Sequence, residues 1–283
     1  FKEKGGVDAW PLVLDTQNPD EIVRIVKAIA PNFGGINLED IAAPACFEIE
    51  RRLIEELDIP VMHDDQHGTA IVVFAGLLNA AKVVKKDFKK LKVVISGAGA
   101  AGTAVAKLLL AGGVVDIVLL DRKGAIHSDR PDLNTHKAEL SVLTNPHKIT
   151  GGLSEVMQGA DVFIGLSGKD LLSVEQVASM APKSIVFAMA NPDPEILPDA
   201  AKKAGAMVVA TGRSDFPNQI NNALVFPGIF RGALDKGVSK ITEETKLRAA
   251  RALAALIPKP TAIKIIPDLL DVRVVKAVAR AVR

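Results

Sequence analysis

The chain has 283 residues, enough for about two domains and a large core. With 35 basic and 33 acidic side chains its formal charge is +2, so no basic excess points to nucleic acid, and 48% hydrophobic with 24% charged residues excludes wholesale disorder. One cysteine, Cys46, rules out an internal disulfide and fits a reducing cytoplasm.

Taken in chain order, residues 9–14 read as a short strand entered from Gly5-Gly6. Asn18 then caps a helix that has Pro19 in its first position, acids in its first turn and Ile22, Val23, Ile25, Val26 and Ile29 as its core face. Residues 34–40 form a strand running into a polar corner, and 45–57 form a second helix stopped by Pro60. Residues 61–65 repeat the pattern of a short apolar strand ending in acids. Residues 68–86 make a long helix, apolar on most faces and therefore buried. The apolar runs 71–78 and 117–120 are far shorter than the ~20 residues of a membrane span, and no secretory signal is evident.

From Leu91 the pattern changes to strand–helix units, with strands expected over 92–96, 117–120, 162–165, 185–188 and 207–210. This alternation predicts an α/β fold: a Rossmann-like, doubly wound parallel sheet domain, plus part of a second α/β substrate domain completed by C-terminal helices. The expected divisions are 1–62, 63–221 and 222–283. Helices over 242–256 and 271–283 follow Phe226-Pro227-Gly228.

Gly97-Ala98-Gly99-Ala100-Ala101-Gly102 joins a buried strand to a helix. Gly97 permits the tight turn, Gly99 lets a pyrophosphate approach the backbone, and Gly102 lets helix and strand pack closely. The phosphates would sit on the free N–H groups of the helix N-terminus. Asp121, at the end of the next strand, is placed to accept hydrogen bonds from an adenosine ribose, which favours NAD. Arg122 and Lys123 beside it could pair with a 2′-phosphate, so NADP stays open.

Glu39-Asp40 and Asp64-Asp65 stand at the ends of two short strands. Such carboxylates could converge on Mg²⁺ or Mn²⁺, which prefer oxygen ligands, or be solvated caps. His63 and His67, flanking a loop at Asp64-Asp65, read as structural groups or as groups supporting the site from behind its ligands. Asn191 follows a strand and lies at its carboxyl end, where parallel sheets bind ligands, and the run Asn218-Gln219-Ile220-Asn221-Asn222 precedes Val225-Phe226-Pro227-Gly228; both suit either an uncharged ligand contact or turn chemistry.

These segments together resemble a malic enzyme of the compact prokaryotic kind. The likeness runs along essentially the whole chain, through Gly-Gly-Val-Asp-Ala (5–9), Ile-Asn-Leu-Glu-Asp-Ile (36–41), His-Asp-Asp-Gln-His-Gly-Thr-Ala (63–70) and Gly-Ala-Gly-Ala-Ala-Gly (97–102). It continues in Asp-Arg-Lys-Gly (121–124), Asn-Pro-Asp-Pro-Glu (191–195), Gly-Arg-Ser-Asp-Phe-Pro-Asn-Gln-Ile-Asn-Asn (212–222) and Phe-Pro-Gly-Ile-Phe-Arg-Gly-Ala-Leu (226–234).

The resemblance implies oxidative decarboxylation of (S)-malate to pyruvate and CO₂ with reduction of NAD, or NADP, in a cytoplasmic homodimer. It implies Glu39, Asp40 and Asp65 as ligands of Mg²⁺ or Mn²⁺, and Asp64 as the group holding a catalytic lysine. Thr69, Gly97, Ala98, Gly99, Ala100, Ala101, Gly102, Asp121, Arg122 and Ser167 would line the dinucleotide. Asn191 and Asn222 would contact substrate and nicotinamide.

The chain departs from the pattern in containing no tyrosine, which is the family's general acid. The family's base, a lysine, falls before the position matching Phe1, so Lys2 and Lys4 do not stand in for it. The natural protein is therefore expected to be longer at its amino terminus. Three alternatives stand beside oxidative decarboxylation: malolactic chemistry, a dinucleotide-binding module without turnover, and a metal-independent Rossmann dehydrogenase of the amino-acid or shikimate type.

Overall fold

A computed structural model describes residues 1–283. The chain begins with α1 (Lys2–Gly5), α2 (Pro19–Ile29), β1 (Ile36–Leu38), α3 (Ala45–Glu56) and β2 (Val61–His63). Asn18 Oδ1 accepts from the N–H groups of Asp20 and Glu21, the predicted cap on the start of α2. Strands β1 and β2 pair in parallel, Leu38 opposite His63, and Ile22, Val23, Val26, Ile49, Leu53 and Val61 pack around them.

No strand forms over 9–14. The segment pairs with no strand, and Trp10 and Val13 are exposed, at 75% and 98%. A short apolar run becomes a strand only when a partner satisfies its backbone groups.

Helix α4 (Asp64–Val84) follows β2 directly. Its first turn is Asp64–His67, so the expected loop at Asp64-Asp65 is helical instead; acids are favoured there because they face the positive end of the helix. By length and composition α4 could cross a membrane, yet most of it is buried inside the molecule. It packs on α5 (Ala100–Ala111) and on the C-terminal helix Glu243–Ala255.

The large sheet is built from β3 (Lys92–Ser96), β4 (Asp116–Asp121), β5 (Gly124–Ala125), β6 (Val162–Gly165), β7 (Ile185–Ala188) and β8 (Val208–Thr211), in the order β5-β4-β3-β6-β7-β8. All pairings are parallel except that of the short edge strand β5, which sequence periodicity did not anticipate. Strands β6 and β7 coincide with the predicted ranges; β8 begins one residue later than predicted. The helices α6 (Thr135–Leu143), α7 (Leu153–Val156), α8 (Val174–Ala178) and α9 (Pro198–Lys203) connect them.

The sheet is covered on both faces. Val93, Ile95, Ile164 and Phe187 pack with α4 and α5, while Val94, Phe163 and Val186 join a second cluster with Val177 and Ala201. These strand side chains are almost wholly buried, each contributing roughly 1.5–3 kcal/mol of hydrophobic stabilisation.

The chain closes with α10 (Phe226–Lys236), α11 (Glu243–Ala255) and α12 (Arg273–Ala281). These helices share the large core: Ile229, Leu253 and Val278 belong to the same buried cluster as the apolar side chains of α4. They also meet the N-terminal residues: Phe1 stacks near Phe226 and Phe230, and Gly35 lies against Phe230.

Candidate active site

The parallel register of β1 and β2 places their carboxyl ends side by side, so Glu39-Asp40 and Asp64-Asp65 emerge at one corner. Asp40 has a left-handed backbone (φ 56°), and its N–H donates to Asp65 Oδ2 at 2.9 Å. Asn37 Nδ2 donates to Glu39 Oε1 at 2.9 Å. No three His, Cys, Asp or Glu side chains are drawn into a closed cage.

Asp64 is buried among these acids. Its Oδ2 accepts from Asn222 Nδ2 at 2.5 Å, while its Oδ1 is buried with no partner. Burial, followed by the charges of Glu39 and Asp65, pushes its pKa up to about 8. Gly68, one helical turn on, makes room for this pair: a Cβ there would lie 2.0 Å from Asp64 Oδ1 and 3.0 Å from the Asn222 side chain.

The rest of the asparagine-rich run does structural work. Asn218, in the left-handed region, donates to the carbonyls of Val209 and Ala262 and accepts from Ile265 N–H. Asn221 Oδ1 caps the turn at Ala223. Only Asn222 reaches the acids, so turn chemistry and site contact divide within one short segment.

Behind the acids lies Glu50 of α3, which sequence reasoning passed over. Its carboxylate accepts from His63 N–H at 2.7 Å and Gln66 Nε2 at 3.1 Å, and pairs with His67 Nε2 at 2.9 Å. Burial works to raise its pKa, but the contacts with His67, the His63 N–H and the charge of Lys246 outweigh it and leave the group below its ordinary value. The available signal was a charged residue on the buried face shared by Cys46, Ile49 and Leu53. His63 is fully buried with neither ring nitrogen hydrogen-bonded, its Nδ1 3.9 Å from Asp65 Oδ2, and burial lowers its pKa.

The glycine-rich turn joins β3 to α5 as expected. Gly97 has φ +117°, and a Cβ there would meet Leu166 O at 2.7 Å; at Gly102 it would meet Gly97 O at 1.8 Å. Around Gly99, by contrast, the space is open within 4 Å. Two glycines are thus required by close packing and the middle one leaves an approach to the backbone. The amide groups at the start of α5 face that space without a side-chain cap, the arrangement that receives a pyrophosphate. Ser96 Oγ lies 3.1 Å from Ser167 Oγ, linking this turn to the loop after β6.

Asp121 ends β4, but its carboxylate is already engaged. It accepts from Lys123 N–H, from both terminal nitrogens of Arg130 and from Lys137 Nζ at 2.6 Å. Burial opposes ionisation, yet these donors win and bring its pKa down to about 2. Arg130 and Lys137 carried no spacing signal in the sequence. Arg122 is exposed beside them, and Thr69 is half-buried on α4 without a side-chain hydrogen bond. Asn191 lines a cleft of about 330 Å³ with Leu166, Ser167, Gly168, Met189 and Ala190, at the carboxyl ends of β6 and β7.

Comparison with known proteins follows the same geography. The family model described as "Malic enzyme, NAD binding domain" matches residues 66–283, and "Malic enzyme, N-terminal domain" matches residues 2–54. An NAD-dependent malic enzyme of Geobacillus stearothermophilus is 58% identical over all of this chain, which spans 59% of that protein. A bifunctional malic/malolactic enzyme of Bacillus subtilis is 55% identical, and the chain spans 70% of it. The crystal structure of an NAD-dependent malic enzyme from Thermotoga maritima superposes with a TM-score of 0.96 at 47% identity, covering 99% of this chain and 74% of that one.

Proposed function

The chain belongs to the malic enzyme family, and from that premise we propose that its site serves the metal-dependent oxidative decarboxylation of (S)-malate to pyruvate and CO₂, with reduction of NAD or NADP. The observation that carries this reading is the junction itself. Acids following β1 and β2 are tied, through Asp64 and Asn222, to the segment that follows β8 of the sheet bearing the glycine-rich turn.

The donor set fits a hard divalent cation. The acids offer only carboxylate oxygens, and burial together with the charges of Glu39 and Asp65 raises the pKa of Asp64. No lysine or arginine forms an ion pair with any of these acids, His63 Nδ1 at 3.9 Å from Asp65 Oδ2 being the one basic group near. Glu39, Asp40 and Asp65 would hold Mg²⁺ or Mn²⁺. The ion would supply Lewis-acid polarisation of the malate C2 oxygen and the carboxylate beside it.

The dinucleotide would lie along the carboxyl edge of the sheet. Gly97, Ala98, Gly99, Ala100, Ala101 and Gly102 would present N–H groups to its pyrophosphate, with Asp121 and Arg122 near the adenosine half. Ser167, Asn191 and Thr69 would border the remainder. Its nicotinamide would accept the hydride from C2. The neutral amides of Asn191 and Asn222 would orient the substrate carboxylate and the carboxamide by hydrogen bonding without adding charge.

Asp64 has an unpartnered, buried Oδ1, the acceptor needed to orient an ammonium group, which is the role the family gives it. The 283 residues contain no tyrosine, so the family's general acid is not among them. Residues 1–62 form part of the substrate unit on this reading, 63–221 the dinucleotide unit and 222–283 the helices that join them.

A malolactic variant is favoured by one observation, the similarity to the Bacillus subtilis enzyme. Product analysis of the full-length gene product with malate, cofactor and Mn²⁺ separates the readings: pyruvate with equal reduced cofactor supports oxidative decarboxylation, and lactate without net reduced cofactor supports the other.

A further inference from the structure

Glu195 is fully buried beneath the cleft at the ends of β6 and β7 and takes no part in the chemistry described above. Its Oε2 accepts from Ala190 N–H at 3.0 Å, and its Oε1 receives a longer bond from Ser167 N–H at 3.4 Å. Ser167 and Ala190 belong to opposite rims of the cleft. The backbone reinforces the link, because Leu172 N–H donates to Glu195 O at 3.1 Å.

The space is fitted to this carboxyl group. A Cβ on Gly165, the last residue of β6, would lie 2.3 Å from the Glu195 carboxyl carbon and from Oε1. No lysine or arginine pairs with it, and burial outweighs the three backbone N–H contacts to raise its pKa. A buried carboxyl without a counter-ion is costly, so its presence at a structural joint calls for a function.

In sheets of this topology the dinucleotide crosses at the first strand of the unit. Its adenosine half lies over one neighbour and its nicotinamide half over the other side. With β3 as that crossing strand and β4 on the adenosine side, β6 and β7 carry the nicotinamide side. We propose that Glu195 is a positioning residue that holds the β6 and β7 loops at the separation the nicotinamide half requires. This rests on the dinucleotide reading of the site.

The test is calorimetric titration of the full chain and of its Glu195→Gln variant with NADH and with ADP-ribose, which shares the adenosine half and lacks nicotinamide. Glutamine is isosteric but turns an N–H₂ toward one of the two amide donors. The variant should bind NADH roughly tenfold more weakly, the scale of one charge-assisted hydrogen bond, with ADP-ribose affinity unchanged within about twofold. Gly165→Ala, which displaces the carboxylate and keeps its charge, should give the same selective loss.

Equal weakening for both ligands would mean a merely structural role and overturn the proposal, as would unchanged binding of both in the two variants. If the unsubstituted chain binds neither ligand, the dinucleotide reading fails and the proposal with it. That outcome is distinguished by the behaviour of the parent chain rather than of the variants.

Discussion

Asn222 and Asp64, 158 residues apart in sequence, meet through a 2.5 Å hydrogen bond from Nδ2 to Oδ2. The bond joins the first turn of α4 to the turn that precedes α10, at the corner where Glu39, Asp40 and Asp65 emerge. It is the direct polar link between the N-terminal acids and the chain returning from the large sheet.

Removing that link should cost both stability and site geometry. Asn222→Ala leaves the buried Asp64 carboxyl without any donor, which should destabilise the fold by about 1–3 kcal/mol. Urea unfolding monitored by circular dichroism measures the loss. Asn222→Asp should be worse still, since it places another carboxyl against an acidic cluster.

The glycine-rich turn predicts a sharper separation of binding from folding. Gly102→Ala brings a methyl group to 1.8 Å from Gly97 O, so the turn must open. NADH affinity, followed by its fluorescence, should fall at least about tenfold because the amides that face the pyrophosphate move out of line. Gly99→Ala, which meets nothing in the protein, should fold normally and weaken NADH only through contact with the ligand.

The ion pairs around Asp121 predict a pH dependence of stability. Its folded pKa, about 2, lies below the ordinary 3.8. The linked stabilisation is therefore present above about pH 4 and is lost as pH falls towards 2. Arg130→Met removes the leading donor to Asp121 and also the partner of Asp132. Wild-type urea midpoints should therefore fall more steeply across that window than those of the variant, and the two curves should converge at its acid end.

Sequence reading went furthest where a local pattern has one structural solution. The strands β3, β6 and β7, the cap at Asn18 and the turn at Gly97–Gly102 all depend on neighbours in sequence. The segment 9–14 failed for the complementary reason: whether it forms a strand depends on a partner elsewhere in the fold. Asp64-Asp65 read as a loop because acids mark strand ends, but they also favour a helix start, and α4 takes that second option.

Within the site, residue types were legible and partnerships were not. Asp121 was identified from the end of its strand, whereas Arg130 and Lys137 reach it only through the folded β4–α6 connection. Glu50, a charge among core positions, is passed over in the sequence, and Glu195 enters it only as the last residue of the 191–195 segment. Their roles arise from backbone N–H groups brought to them by other elements.

The most direct test follows absorbance of the reduced cofactor when the full-length gene product is given malate and NAD or NADP, first with chelator and then with Mn²⁺. Reduced cofactor and pyruvate should appear in equal amounts and only with the metal, and Asp65→Ala should abolish both while NADH still binds. A folded protein that binds NADH and Mn²⁺ yet forms neither product would refute oxidative decarboxylation at this site.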